Sequence, residues 1–340
     1  MIHVLQKMHL PKLSRPLAPA GAFFLGMALL VSLNLGERTA RQQSQIIDIT
    51  MLTAELGGFS PANLQLQAGH PVTLRFHAND VAHALAIGPG LDIDLGVIAP
   101  GMTREVTLTF ERPGVYTFYC NLWCSPEHWR MRGVIDVVAA DGSLPPAAAD
   151  PVIAALTAAG IDIDARHDHA MAHMAEGPLH DAAPDTAALA SMEVGAELRT
   201  LDWQRTHTMA EAMAALGTAN PTRTDEEAAG AAVALWMEHA QAADLTATAD
   251  IYAKNCVACH GAQGRGDGPA AAFVPTAPAA FTVAGFSAMR SDVLYAKIRR
   301  GGMGTGMPNF GTLFTPEETW ALVDYLWLLA FAAADEIADE

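Results

Sequence analysis

The twelve residues from Cys120 to Met131 read CNLWCSPEHWRM. This segment sets Cys120, Cys124, His128 and Met131 in the spacing C-x3-C-x3-H-x2-M. Thiolate, imidazole and thioether groups are soft ligands, which suit copper better than magnesium or calcium. A blue site with one copper needs only one cysteine, whereas two thiolates can each bridge two copper ions. The spacing therefore predicts a compact binuclear copper centre, with a blue copper, disulfide or zinc site as the alternatives.

Residues 50–140, which surround this segment, read as a β-sandwich. Short runs carry apolar side chains at every second position, and Gly-Pro clusters separate them, as is typical of antiparallel strands. These runs are 64–67, 72–76, 106–110, 115–118 and 134–138. Residues 120–131, called the copper segment below, follow one of these strands, so we expect the sandwich to position them.

Each copper of a binuclear centre needs one histidine, and His128 supplies the first. We expect His83 to supply the second, because it lies in an apolar stretch ahead of a Gly-Pro turn. His70 and His77 are the alternatives. His70 precedes a proline at a turn, and His77 falls in an alternating strand, where it should face outward.

The stretch from Gly58 to Val138 resembles the cupredoxin domain of subunit II of cytochrome c oxidases, which holds the CuA centre. The matching pieces are Gly58-Phe59-Ser60-Pro61, Asp80-Val81-Ala82-His83, Arg112-Pro113-Gly114-Val115-Tyr116 and the copper segment. The resemblance implies six copper ligands, which are His83, Cys120, the backbone carbonyl of Leu122, Cys124, His128 and Met131. It also implies that this centre transfers electrons, and no catalytic residue is predicted.

A second metal site is predicted by residues 256–260, which read CVACH. C-x-x-C-H is the attachment signal of a c-type haem. Thioether bonds from Cys256 and Cys259 would fix one haem covalently, and His260 would bind its iron. We therefore expect residues 246–340 to form an all-α cytochrome c domain.

The second axial ligand of the haem iron should come from a later loop. Residues 301–310 read GGMGTGMPNF and offer two methionines. Met307 is favoured, because Met-Pro followed by Phe310 resembles the distal ligand loop of class I cytochromes c. Met303 is the alternative. Methionine opposite histidine raises the reduction potential of a haem, which suits an electron carrier.

The chain is acidic, and its charge is unevenly distributed. The formal net charge of −17 argues against binding to nucleic acid through a basic face. Residues 141–245 hold 17 acidic and 4 basic residues, a net charge of −13. We expect this alanine-rich segment to be an acidic, partly helical linker. Its stretch 167–174 reads HDHAMAHM, which is either a solvated linker or a transient copper site.

The N-terminal residues carry a membrane signal. Three cations precede an uncharged, apolar run from Pro16 to Gly36, and about 20 apolar residues cross a bilayer as a helix. We therefore expect a transmembrane anchor at 17–36. Residues 1–16 would be cytoplasmic, and the redox domains would lie on the outer, periplasmic face of the cell membrane. A cleaved signal peptide is the alternative.

The predicted fold class is multidomain: an N-terminal transmembrane helix, an all-β cupredoxin sandwich, a helical acidic linker and an all-α cytochrome c. The resemblance implies a non-catalytic redox subunit of a haem–copper terminal oxidase. It would take electrons from an external donor, a cytochrome or small redox protein, through haem c and CuA to catalytic subunit I, which reduces oxygen. The lipid bilayer is the remaining expected partner. A nitric-oxide reductase subunit, a free-standing electron shuttle and a copper-handling protein are the alternatives.

Overall fold

The computed structural model describes residues 45–338 apart from 92, 147–148, 164–176, 181, 243–244 and 303–304. Its first part is a sandwich of two sheets. The strands of this described part are β1 (Gln45–Met51), β2 (Phe59–Ser60), β3 (Asn63–Gln67), β4 (Pro71–Ala78), β5 (His83–Gly88), β6 (Ile93–Ile98), β7 (Thr103–Thr109), β8 (Gly114–Tyr119) and β9 (Arg132–Val138). One sheet has the order β2-β1-β4-β7, and the other has the order β3-β9-β8-β5-β6.

Two of the strand pairs are parallel, although the sequence pattern predicted antiparallel strands. β1 pairs in parallel with β4, and β3 pairs in parallel with β9. The other pairs among the described strands are antiparallel. A period of two reports the face on which a side chain lies and says nothing of the neighbouring strand's direction. The parallel pairs are therefore a property of the chain's path that alternation alone does not reveal.

The core of the sandwich reaches the copper segment. The ring of Phe118 lies 4.9 Å from the ring of Phe59 and 5.9 Å from that of Phe76. Cys120 and Met131 are buried in the same hydrophobic cluster as these rings. The two ends of the copper segment are therefore fixed by packing as well as by the strands that flank them.

Most of the described residues from 150 to 338 are helical. The helices are α1 (Pro151–Ala158), α2 (Thr186–Ser191), α3 (Leu201–Thr206), α4 (Met209–Ala219), α5 (Asp225–Ala242), α6 (Thr246–Asn255), α7 (Val257–His260), α8 (Val283–Ser287), α9 (Ser291–Arg300) and α10 (Pro316–Ala338). Polar side chains begin several of them. Asp150 caps α1 by accepting from the backbone N–H of Val152, and Thr208 and Glu211 form a capping box at α4.

The helices of 141–245 share a core with those of 246–338. α5 packs against α2, α4 and α10. The rings of Trp236 on α5 and Trp327 on α10 are 6.3 Å apart, and buried alanines such as Ala229 and Ala232 let neighbouring helices approach α5 closely. One hydrophobic cluster therefore extends from α1 to α10. The segment expected to be a linker is, in its described part, a packed layer on the helices that follow it.

The predicted transmembrane architecture and the single-pass membrane localisation are corrected by the structure. Within the described ranges given above, no helix is both long and apolar enough to cross a membrane. The longest of them, α10, carries Glu317, Glu318 and Asp324 and buries Trp327, so its apolar side chains serve packing instead. The predicted anchor at 17–36 lies outside the described residues. The fold class of the described residues is an all-β sandwich followed by a helical region, residues 150–338.

Candidate metal centres

The copper segment connects two neighbouring strands of the sandwich. β8 ends and β9 begins on either side of it, so Cys120 and Met131 lie at its two ends. The backbone N–H of Cys120 donates to the carbonyl of Met131 at 3.1 Å, which closes the segment into a loop. Inside the loop, a 3₁₀ turn at His128–Arg130 carries the histidine.

Four predicted copper ligands form one cluster of sulfur and nitrogen atoms. The Sγ atoms of Cys120 and Cys124 are 4.0 Å apart. His83 Nδ1 lies 3.9 Å from Cys120 Sγ, and His128 Nδ1 lies 3.7 Å from Cys124 Sγ. Each thiol therefore has a histidine of its own, one from β5 and one from the loop.

The two remaining predicted donors lie beside different thiols. The carbonyl oxygen of Leu122 lies 3.3 Å from Cys120 Sγ. The thioether sulfur of Met131, which is 1% exposed, lies 3.3 Å from Cys124 Sγ. Cys120 thus has an oxygen donor beside it, and Cys124 has a thioether.

These separations fit metal ions that bridge the two sulfurs. With metal–sulfur bonds of about 2.3 Å and a tetrahedral angle, two thiolates on one ion lie about 3.8 Å apart. With a metal–nitrogen bond of about 2.0 Å, the imidazole nitrogen lies about 3.5 Å from a sulfur on the same ion. The observed Sγ–Sγ distance of 4.0 Å and the Sγ–Nδ1 distances of 3.7 and 3.9 Å are close to these values. The donor types are those that suit copper.

Asp80 positions the buried imidazole of His83. Its Oδ1 lies 2.7 Å from His83 Nε2. The same carboxylate accepts from the backbone N–H groups of Thr53 at 2.6 Å and Val81 at 2.7 Å. A carboxylate on one ring nitrogen fixes the tautomer and orientation of a metal-binding histidine, and here it turns Nδ1 toward the thiol of Cys120. Sequence reasoning missed this role, although the spacing D-x-x-H was available as a signal.

The ionisable groups of the cluster influence one another. Burial raises the pKa of Asp80, but hydrogen bonds from Thr53 and His83 outweigh it and lower the pKa overall. Burial lowers the pKa of His83, but hydrogen bonds with Cys120 and Asp80 outweigh it and raise the pKa. The hydrogen bond from the Cys124 thiol lowers the pKa of Cys120 far below its usual range, and the same contact raises the pKa of Cys124. Metals bind the thiolate form, so Cys120 is the thiol that ionises first, and binding through both sulfurs also requires Cys124 to lose its proton.

The two alternative histidines lie away from this cluster. His77 on β4 contacts Thr103 Oγ1 through Nδ1 and Asp48 Oδ1 through Nε2, each at 2.8 Å. His70 is exposed in the turn before β4. Among the described residues, the tight group of potential metal ligands comprises His83, Cys120 and Cys124. The structure thus brings His83, and neither alternative, next to a thiol.

The haem-attachment motif begins where α6 ends. Cys256 follows α6 directly, and α7 carries Cys259 and His260. His260 Nδ1 donates to the carbonyl of Ala279 at 3.1 Å, and the ring of Phe281 stacks on the imidazole at 4.7 Å. Because the hydrogen bond engages Nδ1, Nε2 is the ring nitrogen suited to bind iron. The motif therefore fits the covalent group that its spacing predicts.

Met307 lies in the loop between α9 and α10. Its carbonyl accepts from the backbone N–H of Gly302 at 3.1 Å, and its partly buried side chain packs against the same hydrophobic cluster as Cys256. Gly301 begins this loop with a φ of 77°, and a Cβ there would lie 2.7 Å from the Met307 carbonyl oxygen. The close turn therefore needs glycine. The alternative ligand Met303 lies outside the described residues.

Two family models match separate parts of the chain. A family described as cupredoxin-like domain matches residues 24–137. A family described as cytochrome c oxidase, cbb3-type, subunit III, matches residues 243–326. The chain contains a cupredoxin-like domain and a cbb3-type cytochrome c domain. The first holds the thiol cluster, and the second holds the C-x-x-C-H motif and Met307.

Curated relatives point to the same group of proteins. Two proteins named cytochrome c oxidase subunit 2, both from Thermus thermophilus, are each 32% identical to this chain over 80 residues. An 80-residue region of the chain is therefore similar to part of cytochrome c oxidase subunit 2. The matched region covers 24% of this chain and 58% and 46% of the two relatives, so it spans about half of their length.

Two solved structures match part of the chain. A haem–copper terminal oxidase dimer matches at 19% identity and a TM-score of 0.24, covering 35% of this chain and 99% of the matched chain. Reduced auracyanin from Roseiflexus castenholzii matches at 21% identity and a TM-score of 0.24, covering 28% of this chain and 98% of auracyanin. These TM-scores are too low to support a conclusion about function.

Proposed function

We propose that this protein is the electron-transfer subunit, subunit II, of a haem–copper terminal oxidase, with a binuclear CuA centre and one covalent haem c. The observation that carries the proposal is the pairing of a separate histidine with each of two thiols 4.0 Å apart. A site for one copper ion could use both histidines but only one of the two thiols, whereas two copper ions would use both thiols and both histidines.

The copper ions would be held by six donors: His83, Cys120, the Leu122 carbonyl, Cys124, His128 and Met131. When bound, such a centre takes up and gives off one electron. The chain's part is to keep the donors still. β5, β8 and β9 fix the ends of the copper segment, and Asp80 fixes one imidazole. Donors that are held in this way move little when the charge of the metal changes, which favours rapid electron transfer.

The haem would be held by thioether bonds to Cys256 and Cys259, and its iron would be bound by His260 and Met307. When bound, it stores one electron, and the methionine raises its potential. The hydrogen bond from His260 to Ala279 orients the proximal imidazole. Buried Phe281 beside the imidazole supplies an apolar contact that limits the access of water.

Electrons would pass from an external redox protein to the haem and from the haem to the copper centre. From there they would pass to catalytic subunit I, where oxygen is reduced. The groups around the two thiols are metal donors and the residues that position them. This composition supports electron transfer in preference to bond making, and the chain would act as a non-catalytic subunit of the oxidoreductase.

Affinity purification of the native complex through a tag on this chain tests the proposal. We expect a haem–copper catalytic subunit to co-purify, oxygen to be consumed, and the spectrum to show both copper and haem c. A complex that consumes only nitric oxide would move the assignment to a reductase. A chain that purifies alone with both chromophores would favour a free-standing shuttle.

Removal of copper by a mild chelator adds a second test. We expect a copper centre held by six donors to resist mild chelation, and strong chelation to remove the copper bands alone, because the haem is attached covalently. Ready loss of copper under mild conditions would instead favour a copper-handling protein.

A further inference from the structure

The two metal sites face each other where the sandwich meets the helical region. A small, partly open cavity of about 40 Å³ lies between them. Its walls include Cys120, His128 and Met131 of the copper segment and Ala258 and Cys259 of the haem-attachment motif. The Cys259 side of that motif therefore opens toward the copper donors.

A polar contact joins residues next to the two sites. Lys254, two positions before Cys256, places Nζ 2.7 Å from Asp94 Oδ2 on β6. The same carboxylate oxygen accepts from Asn121 Nδ2 at 3.3 Å, and Asn121 directly follows Cys120. Three side chains thus connect α6, the helix that leads into the haem motif, to the loop that carries the copper donors.

A second contact joins the other ends of the two sites. Arg132 directly follows Met131, and its Nη1 donates to the carbonyl of Asn309, two positions after Met307. Its guanidinium carbon also lies 5.0 Å from the ring centre of Phe310, within the range of a cation–π interaction. A residue next to a copper donor therefore holds the loop of the predicted distal haem ligand.

An apolar contact lies between these polar ones. Ala86 and Tyr119 are partners across β5 and β8, and both are buried in the hydrophobic cluster of the helical region instead of the sandwich core. At the end of β5, a Cβ on Gly88 would lie 2.4 Å from the carbonyl oxygen of Leu313. The backbones therefore meet closely at Gly88, and any larger residue there must separate them.

We propose that these contacts form a fixed docking interface between the sandwich and the helical region, so that the haem-to-copper step of the proposed function takes place at one set separation. The interface holds the Cys259 side of the haem site against the His128 side of the copper segment, and Gly88 sets how closely they approach. This inference rests on the proposed function. One electron leaves the ferrous haem, which becomes ferric, and reduces the oxidised copper pair by one, with no bond or proton transferred.

Zero-length carbodiimide cross-linking of the full-length chain with both metals bound tests the interface. The reagent joins an amine to a carboxylate that it touches, so a Lys254–Asp94 cross-link is expected in the digested protein. Lys254 also contacts Asp250 on its own helix at 2.7 Å. The Lys254–Asp250 link therefore serves as an internal control that does not depend on docking.

A steric wedge then tests the role of Gly88. We expect Gly88→Val to lower the yield of the Lys254–Asp94 link severalfold relative to the Lys254–Asp250 link, and to slow electron transfer from haem to copper in flash photolysis. Gly177→Val is the matched control, because a Cβ at exposed Gly177 meets no atom within 4 Å. Unchanged cross-linking and an unchanged rate in Gly88→Val would overturn the proposal, as would a native chain that yields only the Lys254–Asp250 link.

A second pair of variants keeps the test independent of the folding of Gly88→Val. Asp94→Ala removes the contact between the two regions, whereas Asp250→Ala removes a contact of the same length within α6. We expect only Asp94→Ala to slow the haem-to-copper step, and equal effects would contradict the interface. The copper and haem spectra of the same samples test the proposed function separately: missing chromophores count against that function, whereas intact chromophores without the Lys254–Asp94 link overturn only the interface.

Discussion

The copper segment and the haem-attachment motif are built in opposite ways. The thiol of Cys120 and the imidazole of His83 are 37 positions apart in the chain and meet because β5 and β8 are neighbours. The residues predicted to attach the haem lie within 256–260, on one turn of helix and the residue before it. The copper donors therefore depend on the tertiary structure of the sandwich, whereas the haem motif is local and depends on covalent bonds.

Both regions have a core of large side chains. Phe76 and Phe118 are buried in the sandwich, and Trp327 and Tyr252 are buried in the helical region beside alanines such as Ala229. Burial of such side chains stabilises each region without its metal group, and a group that binds only the folded form adds to that stability. We therefore expect the sandwich to form its donor cluster, and the helical region its core, before either binds its group.

Replacement of one bridging thiol is the change with the largest expected effect. In Cys124→Ser, a hard hydroxyl replaces one of two soft donors, and a binuclear centre can no longer be bridged twice. We expect the binuclear copper signature to disappear from the electron paramagnetic resonance spectrum, while the haem bands are unchanged.

The matched variant on the haem side is Cys259→Ser. It should remove one thioether bond and alter the haem spectrum, and leave the copper signature as it is. Retention of two copper ions by Cys124→Ser would show that Cys124 does not bridge them. Loss of both chromophores in either variant would contradict the independence of the two sites.

The local parts of both sites could be predicted from the sequence. Cys120, Cys124 and His128 lie within one short segment, and each spacing carries its chemistry without help from the fold. His83 could be ranked above His70 and His77 because its apolar neighbours predicted burial, and the structure places it beside Cys120. For Asp80, a three-residue spacing to His83 was present but does not by itself reveal a hydrogen bond.

The contacts between the two regions could not be predicted in the same way. Gly88 lies before Pro89 in a turn, and a turn alone is enough to explain a glycine there. Its close approach to Leu313 depends on a partner far away in the chain. The same holds for Asp94 and Lys254, which are ordinary surface residues by composition. The membrane-spanning fold class was wrong for the described residues, where no helix is long and apolar enough to cross a membrane. The run 17–36, on which that prediction rested, lies outside them.

Neutralisation of Asp80 tests whether this carboxylate positions His83 for copper binding. Asp80→Asn removes the charge behind buried His83, and loss of such a positioning carboxylate typically costs about 10–100-fold in metal affinity. We expect a loss in this range in competitive copper titration. Asp48→Asn is the matched control, because Asp48 holds His77 at 2.8 Å but is 61% exposed, and exposed pairs contribute about 0–1 kcal/mol. Equal losses in the two variants would show that Asp80 does not position the ligand.

Asp324 offers a test of pH dependence in the helical region. Burial raises its pKa to about 6 on α10, where it lies 3.9 Å from His239 Nε2. A carboxyl group with a raised pKa stabilises the fold in its protonated form, so this contribution is present below about pH 4 and is lost as pH rises through about 6. We expect Asp324→Asn to raise the free energy of unfolding at pH 8 by about 1–3 kcal/mol and to flatten its pH dependence. Urea unfolding at pH 5 and 8, followed by tryptophan fluorescence, measures both, and an unchanged pH slope would contradict the assignment.

Gly217 on α4 gives the smallest expected effect and separates the two regions most directly. A Cβ there meets no atom within 4 Å, and alanine stabilises a helix relative to glycine by about 0.5–1 kcal/mol. Because α4 shares one hydrophobic cluster with α10, Gly217→Ala should raise the melting temperature of the transition that is followed at the haem bands, and leave the transition at the copper bands unchanged. An equal shift in melting temperature at both sets of bands would mean that the sandwich and the helical region unfold as one cooperative unit. The docking contacts, and not the separate cores, would then determine the stability of both sites.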